Sequence, residues 1–303
     1  MTNLLQQLTT TDKVLLGDGA MGTALQKLGL EPGSCPESWN VSHADQVRSV
    51  TAEYVAVGSN IVETNSFGGT SYKLASFGLA EQAAELNRQA ARLARQAAIA
   101  PCLVAGSVGP TGVMMQPLGD ADPDDVRIAF AEQIAALAGG GADVICIETM
   151  MSLEEGLSAL QAARQSCDLP VIVTFTFEKN IKGEFRTMMG LTPQKVAEEL
   201  TLAGADVVGS NCGSGMENMV EIVRLMRGVT DLPLMIQPNA GLPVLEGSRT
   251  VFKEKPCDTA AGVGELVAAG VNIIGGCCGT TPDHIAAIAA ELDRLGCRVQ
   301  DVQ

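Results

Sequence analysis

Short runs of branched aliphatic residues recur along the chain at Val14–Leu16, Asn60–Val62, Cys102–Ala105, Asp143–Ile147, Pro170–Thr174, Asp206–Val208, Leu234–Ile236 and Val271–Ile274. Their starts lie roughly 27 to 46 residues apart, and each run is too short to make a helix. The stretches between them carry apolar residues at helical spacing instead: Val47/Val50/Tyr54, Leu86/Leu93, Val126/Phe130/Ile134/Leu137, Val196/Leu200, Val220/Val223 and Ile285/Ile288/Leu292. A parallel strand covered by helices reads as an unbroken apolar run, because both of its faces are buried. Strands alternating with helices in this way predict repeated βαβ units and a parallel sheet.

The way each strand is entered repeats as well. Four follow Gly-x-Asn/Asp-aliphatic (Gly58 to Ile61, Gly141 to Val144, Gly204 to Val207, Gly270 to Ile273), and three follow Pro101, Pro170 and Pro233. The two kinds alternate along the chain, as helix ends and strand starts do around a closed ring. A doubly wound open sheet is the competing architecture, but the Gly-x-Gly-x-x-Gly phosphate loop it needs after the first strand is absent. The expected fold is a (β/α)8 TIM barrel, a single domain over residues 1–303. A helix over 1–12 is expected to cover the barrel bottom, and 297–303 to form a C-terminal tail.

The strand exits are polar or glycine-rich: Asp18 to Thr23, Glu63 to Gly69, Ser107 to Gly112, Glu148-Thr149, Thr174 to Glu178, Ser210 to Gly213, Gln237 to Gly241 and Cys277-Cys278. In a barrel all of these ends converge on one rim, where active sites sit. Two long charged segments, Glu178–Gly190 and Ala240–Pro256, are expected on the same rim as loops.

Composition narrows the function. The formal net charge of −15 argues against a nucleic-acid backbone or an anionic membrane as partner, and no segment is apolar and long enough to span a bilayer. The start, Met1-Thr2-Asn3-Leu4, lacks the pattern of a secretory leader. Nine cysteines, an odd number without a framework, point to the reducing cytoplasm. With only His43 and His284 available, a histidine-based metal site or triad is disfavoured, and both histidines read as structural.

The unusual stretch is Gly275-Gly276-Cys277-Cys278-Gly279-Thr280-Thr281-Pro282. Neighbouring residues of a strand point to opposite faces, so these cysteines meet one partner only where the backbone leaves strand geometry. A disulfide between adjacent residues is strained, since their Cα atoms are about 3.8 Å apart and bridges prefer roughly 5.5–6 Å. A shared soft metal ion, zinc above all, explains the pair better. Cys212, at the end of the sixth strand, supplies a third thiolate beside the eighth. Three thiolates and one exchangeable position describe a catalytic rather than a structural zinc. So thiolate-rich an ion has little Lewis acidity left for making hydroxide, and a substrate thiol suits it better. The remaining cysteines (Cys35, Cys102, Cys146, Cys167, Cys257, Cys297) read as small hydrophobes.

These strings, DGAMGT (18–23), CPESWNVSHAD (35–45), ETNSFGG (63–69), GPTG (109–112), SNCG (210–213), QPNAG (237–241) and GGCCGTTPDHI (275–285), resemble the homocysteine S-methyltransferase family. The likeness covers nearly the whole chain and is strongest to the N-terminal homocysteine-binding barrel of cobalamin-dependent methionine synthase. It implies a zinc-bearing barrel that methylates L-homocysteine to L-methionine, with Cys212, Cys277 and Cys278 as ligands and Asn239 as a fourth through its amide oxygen. It also implies that the amino-acid end of homocysteine lies near DGAMGT and Glu148. Backbone N–H groups of Gly19, Ala20 and Met21 suit a carboxylate, and Asp18 and Glu148 suit an ammonium group. Glu63 either touches substrate or orients Asn65 and the glycine turn; Asn65 and Ser107 join the substrate-binding set. Trp39 lines the mouth or anchors the core.

The methyl donor is read as methylcobalamin on a partner domain or a separate corrinoid protein. S-methylmethionine, S-adenosylmethionine and betaine are the donors elsewhere in the family. The sequence ends at Gln303, without the further domains of methionine synthase, and so reads as a fragment or a stand-alone enzyme. A zinc-binding barrel without turnover and an aldolase-type enzyme are the readings of other classes. The latter is weakened because the strands carry no lysine.

Overall fold

The computed structural model describes Leu8, residues 13–246 and residues 249–300. Its main sheet consists of β1 (Leu15–Leu16), β2 (Ile61–Glu63), β3 (Leu103–Val108), β4 (Val144–Met150), β5 (Val171–Phe175), β6 (Val207–Asn211), β7 (Leu234–Gln237) and β8 (Ile273–Ile274). From β2 to β8 each strand pairs in parallel with the next in chain order, and β8 returns to pair with β1. The seam between β1 and β2 is joined by Asn60, whose N–H donates to Leu16 O at 2.7 Å while its Oδ1 accepts from Leu16 N at 2.8 Å. The result is the (β/α)8 barrel, with helices between successive strands.

Side-chain alternation builds two layers inside it. Leu15, Ile61, Leu103, Val144, Ile172, Val207, Met235 and Ile273, one from each strand, form an interior apolar cluster with Ala105 and Cys146. Two residues further along, the same inward face carries Gly17, Glu63, Thr174, Gln237 and Gly275. On the longer strands the inward series ends at Ser107, Glu148 and Asn211. The polar rim is therefore the continuation of the core pattern. The outward residues pack against helices such as Ala83–Ala97 and Pro123–Gly140 in a second, larger cluster.

Three differences from the expected elements have local causes. β3, β4, β6 and β7 run one to three residues beyond their apolar runs, because backbone pairing continues while the inward side chains turn polar. The two long rim segments are not plain loops: each holds an antiparallel hairpin, Glu178–Lys179 with Phe185–Arg186 and Val244–Glu246 with Arg249–Val251. The expected tail starts with ordered pairing, Val14 N to Cys297 O at 2.7 Å and Val299 N to Val14 O at 3.0 Å, which seats Val299 against the bottom of the barrel beside Leu8. The helix expected over 1–12 lies outside the described residues apart from Leu8, which is helical.

Candidate active site

The end of β4 departs from regular geometry. Its ladder with β5 breaks after Ile147 and resumes at Met150–Phe175, so Glu148 and Thr149 form a bulge. Thr149 has φ +60°, and Cys212, just past β6, has φ +59°. These are the non-glycine positive φ values among the described residues, and strain of this kind collects where surrounding bonds over-determine a functional geometry. Here the over-determining residue is Asn211. Its Oδ1 accepts from Thr149 N–H and from Thr174 Oγ1, both at 2.8 Å. Its Nδ2 donates to Thr149 Oγ1 at 2.7 Å and Glu148 Oε2 at 3.1 Å.

The next residue, Cys212, is brought to the cysteine pair. The Sγ atoms of Cys212, Cys277 and Cys278 all lie within 4.8 Å of one another, with Cys212 and Cys278 4.0 Å apart. Ligands of one tetrahedral ion at about 2.3 Å sit roughly 3.8 Å from each other. Cys277 and Cys278 can both face inward because the chain after β8 is a turn, not a strand. Cys277 N–H donates to Pro238 O, and the Thr280 hydroxyl turns back to Cys277 O at 2.7 Å. The Cys277 and Cys278 thiols point at the Cys212 sulfur, which pushes the Cys212 pKa down to about 3 and drives that of Cys277 up. Asn239 borders the same group, and its Oδ1 is buried without a hydrogen-bond partner among the described residues. Three clustered sulfurs beside an orphaned carbonyl oxygen fit a metal ion.

Above the sulfurs opens a cavity of about 380 Å³ lined by Gly19, Ala20, Met21, Glu63, Asn65, Phe67, Ser107, Glu148, Thr149 and the three cysteines, among others. Glu148 is buried in its wall and Glu63 half-buried. Ser107 Oγ donates to Glu148 Oε1 at 2.5 Å. Burial, then the charge of Glu63, raises Glu148 well above the usual carboxylate range, and burial raises Glu63 too.

Several expected residues sit differently from their sequence reading. Asp18 does not line the cavity: it is buried behind Glu63, its Oδ2 accepting Glu63 N–H at 2.8 Å, and burial raises its pKa strongly. Ala20 spends its N–H on Thr280 Oγ1 at 3.1 Å rather than presenting it to the cavity. Glu63 does not orient Asn65; it faces Gln237, whereas Asn65 Nδ2 donates to Pro36 O and Asn40 Oδ1. Trp39 is buried and stacks on His43, with ring centroids 4.2 Å apart. His284 caps its own helix through Thr281. Asn211, Thr149 and Gln237 were visible only as parts of motifs or strand exits. Their partners lie on other strands, where no local signal reaches.

The chain is similar over nearly its whole length to known proteins. Residues 15–292 match the family model for homocysteine S-methyltransferase. The chain is 32% identical over 97% of its length to methionine synthase of Mycobacterium leprae, and 31% identical over 97% to that of Mycobacterium tuberculosis. It spans about a quarter of the length of these relatives (25% and 26%). Among solved structures, the metallated form of the homocysteine methyltransferase MmuM from Escherichia coli superposes with a TM-score of 0.79 at 27% identity, covering 95% of this chain and 99% of that one. The chain belongs to the homocysteine S-methyltransferase family.

Proposed function

We propose that this barrel transfers a methyl group to the thiol of L-homocysteine, giving L-methionine, with zinc held by Cys212, Cys277 and Cys278. The observation that carries the reading is convergence: the sulfur trio and the carboxyls of Glu63 and Glu148 face one cavity. An all-sulfur protein set selects a soft or borderline ion. When bound, zinc supplies the positive charge that lets a substrate thiol ionise at neutral pH, where a free thiol near pKa 8.5 is mostly protonated.

The chain's own groups do the rest. Glu148 and Glu63 accept from the substrate ammonium group, with Ser107 and Asn211 fixing Glu148 and Gln237 fixing Glu63. Asp18 acts from behind, holding the Glu63 backbone. Gly19 and Met21 border the space for the substrate carboxylate. Asn239, with its orphaned oxygen, would complete the ion's donor set in the absence of a substrate sulfur. Anchoring both ends of the amino acid fixes the direction from which its sulfur meets the methyl group, and orientation is the larger part of such a rate gain.

The donor in this reading is methylcobalamin on a partner domain or protein. Its support is the likeness, over 97% of the chain, to a quarter-length portion of methionine synthases. All nine cysteines are free, in keeping with a reducing cytoplasm. No helix among the described residues is long and apolar enough to cross a membrane. The test is methionine formation by zinc-loaded protein from homocysteine with methylcobalamin, S-methylmethionine, S-adenosylmethionine or betaine in parallel. Turnover only with an onium donor reassigns the donor. Zinc uptake without homocysteine binding in calorimetry would leave a metal-binding barrel without turnover.

A further inference from the structure

Asn211 joins the two halves of the site, and its hydrogen-bond inventory does not balance. The amide orientation is fixed, because its oxygen is the only one of the two terminal atoms that can accept the Thr149 backbone N–H. Its nitrogen therefore has two protons and faces three acceptors: Thr149 Oγ1 at 2.7 Å, Glu148 Oε2 at 3.1 Å and Cys277 Sγ at 3.8 Å. The sulfur is the one left with the longest contact. Asn211 itself is fully buried, so no water makes up the difference from its side.

We infer that Asn211 is a positioning residue that couples the amino-acid pocket to the cysteine cradle by sharing its amide protons between Glu148 and Cys277. With the pocket empty, Glu148 draws one N–H and Thr149 the other. A ligand ammonium at Glu148 supplies that carboxylate with donors of its own, and an amide proton is released toward the Cys277 sulfur. An N–H aimed at a thiolate stabilises the charged form, so the cradle then holds a divalent ion more tightly. Linkage makes the effect reciprocal: an ion in the cradle raises affinity for the amino acid to the same degree. The inference rests on the proposed reading of the cavity as an amino-acid pocket over a metal cradle.

A probe without sulfur separates this coupling from direct contact between substrate and metal. Zinc affinity is measured by chelator competition with and without saturating L-2-aminobutyrate, and 2-aminobutyrate affinity by calorimetry with and without zinc. In the unaltered protein the amino acid tightens zinc binding about fivefold or more, the lower end of ordinary coupling, and zinc tightens amino-acid binding by the same factor. Asn211→Asp keeps the two accepted bonds and loses both donated ones, so the factor falls to near one. Thr149→Val removes one competing acceptor, so zinc binds more tightly without amino acid and the factor again falls, whereas Thr149→Ser retains it. If Asn211→Asp fails to fold, the Thr149 pair carries the test. The inference is overturned if both ligands bind the unaltered protein independently, or if both Asn211→Asp and Thr149→Val keep the full factor. Failure to bind either ligand at all would overturn the proposed function itself.

Discussion

Gln237 Nε2 donates to Glu63 Oε1 at 2.9 Å across the barrel mouth, although 174 residues separate them in sequence. The pair repeats on another two strands the relation of Asn211 to Glu148. In both cases an amide near the end of a strand grips a carboxylate, and one or two residues later the same chain delivers a proposed metal donor, Cys212 or Asn239. The amides that hold the carboxylates thus share their strand exits with Cys212 and Asn239.

The buried carboxyls predict a pH dependence of stability. Asp18, Glu63 and Glu148 are all raised, each chiefly by burial, and Asp18 and Glu148 next by the charge of Glu63. A carboxyl raised in the folded state contributes stability below its unfolded pKa of about 4, and that contribution is lost as pH rises through the folded value. The unliganded protein should therefore melt at lower temperature near pH 8 than near pH ~5.5. Asp18→Asn, which still accepts the Glu63 N–H, should melt higher than the parent near pH 8, by about 2–4 °C per kcal/mol recovered. The gap should close toward pH ~5 in calorimetric scans. A constant gap would show that the carboxyl is ionised throughout.

Loss of one sulfur should remove the ion without unfolding the barrel. The interior and outer clusters draw on every strand and do not depend on the cysteine trio. Cys278→Ser should show bound zinc well below one per chain by elemental analysis and methionine formation reduced more than ~100-fold, beyond what loss of a supporting hydrogen bond costs. Its far-ultraviolet dichroism should stay that of the parent. In the parent, chelation should lower the melting temperature by the linkage of metal to the folded state, about 4 kcal/mol where zinc stood at a thousand times its Kd.

Most of this architecture was legible because parallel strands announce themselves. Val171-Ile172-Val173 or Val207-Val208 has no other plausible use, and eight such runs leave few topologies. Cys277-Cys278 was legible for a chemical reason, since adjacent thiols in a glycine turn have little structural purpose. What the sequence hid is non-local. Whether Asp18 faces the cavity depends on which way the chain turns after Gly17, and the Glu63 backbone, 45 residues on, decides it. Asn211 and Gln237 look like ordinary strand-exit amides until their partners on β4 and β2 are in place.

Gly209 tests how closely the sixth and seventh strands must approach. A Cβ there would lie 1.9 Å from the Met235 carbonyl oxygen, a backbone atom of the adjoining strand that cannot step aside. Gly209→Ala should destabilise by about 3 kcal/mol, at the upper end of ordinary overpacking. The effect should read as a lower urea midpoint with an unchanged slope. Because Gly209 lies three residues before Cys212, zinc affinity should also fall. Normal affinity at reduced stability would show that the strain is absorbed before it reaches the cradle.

Ser107 gives a kinetic test of the carboxylate pocket. Its hydroxyl donates to Glu148 Oε1 at 2.5 Å and is the principal influence lowering a pKa that burial and Glu63 otherwise raise. Ser107→Ala removes the donor, so Glu148 should keep its proton to higher pH and present less charge to an ammonium group at neutrality. The acid limb of kcat/KM against pH should then move toward alkaline values. A hydrogen bond to a charged group is worth about 1.5–3 kcal/mol, so KM for homocysteine should rise roughly 10- to 100-fold near neutral pH. The sulfur cradle is untouched, and so kcat at saturating homocysteine should change little. Binding lost with turnover kept is the signature of a group that anchors the amino-acid end without joining the methyl transfer. A fall in kcat with KM unchanged would place Glu148 in the chemical step instead.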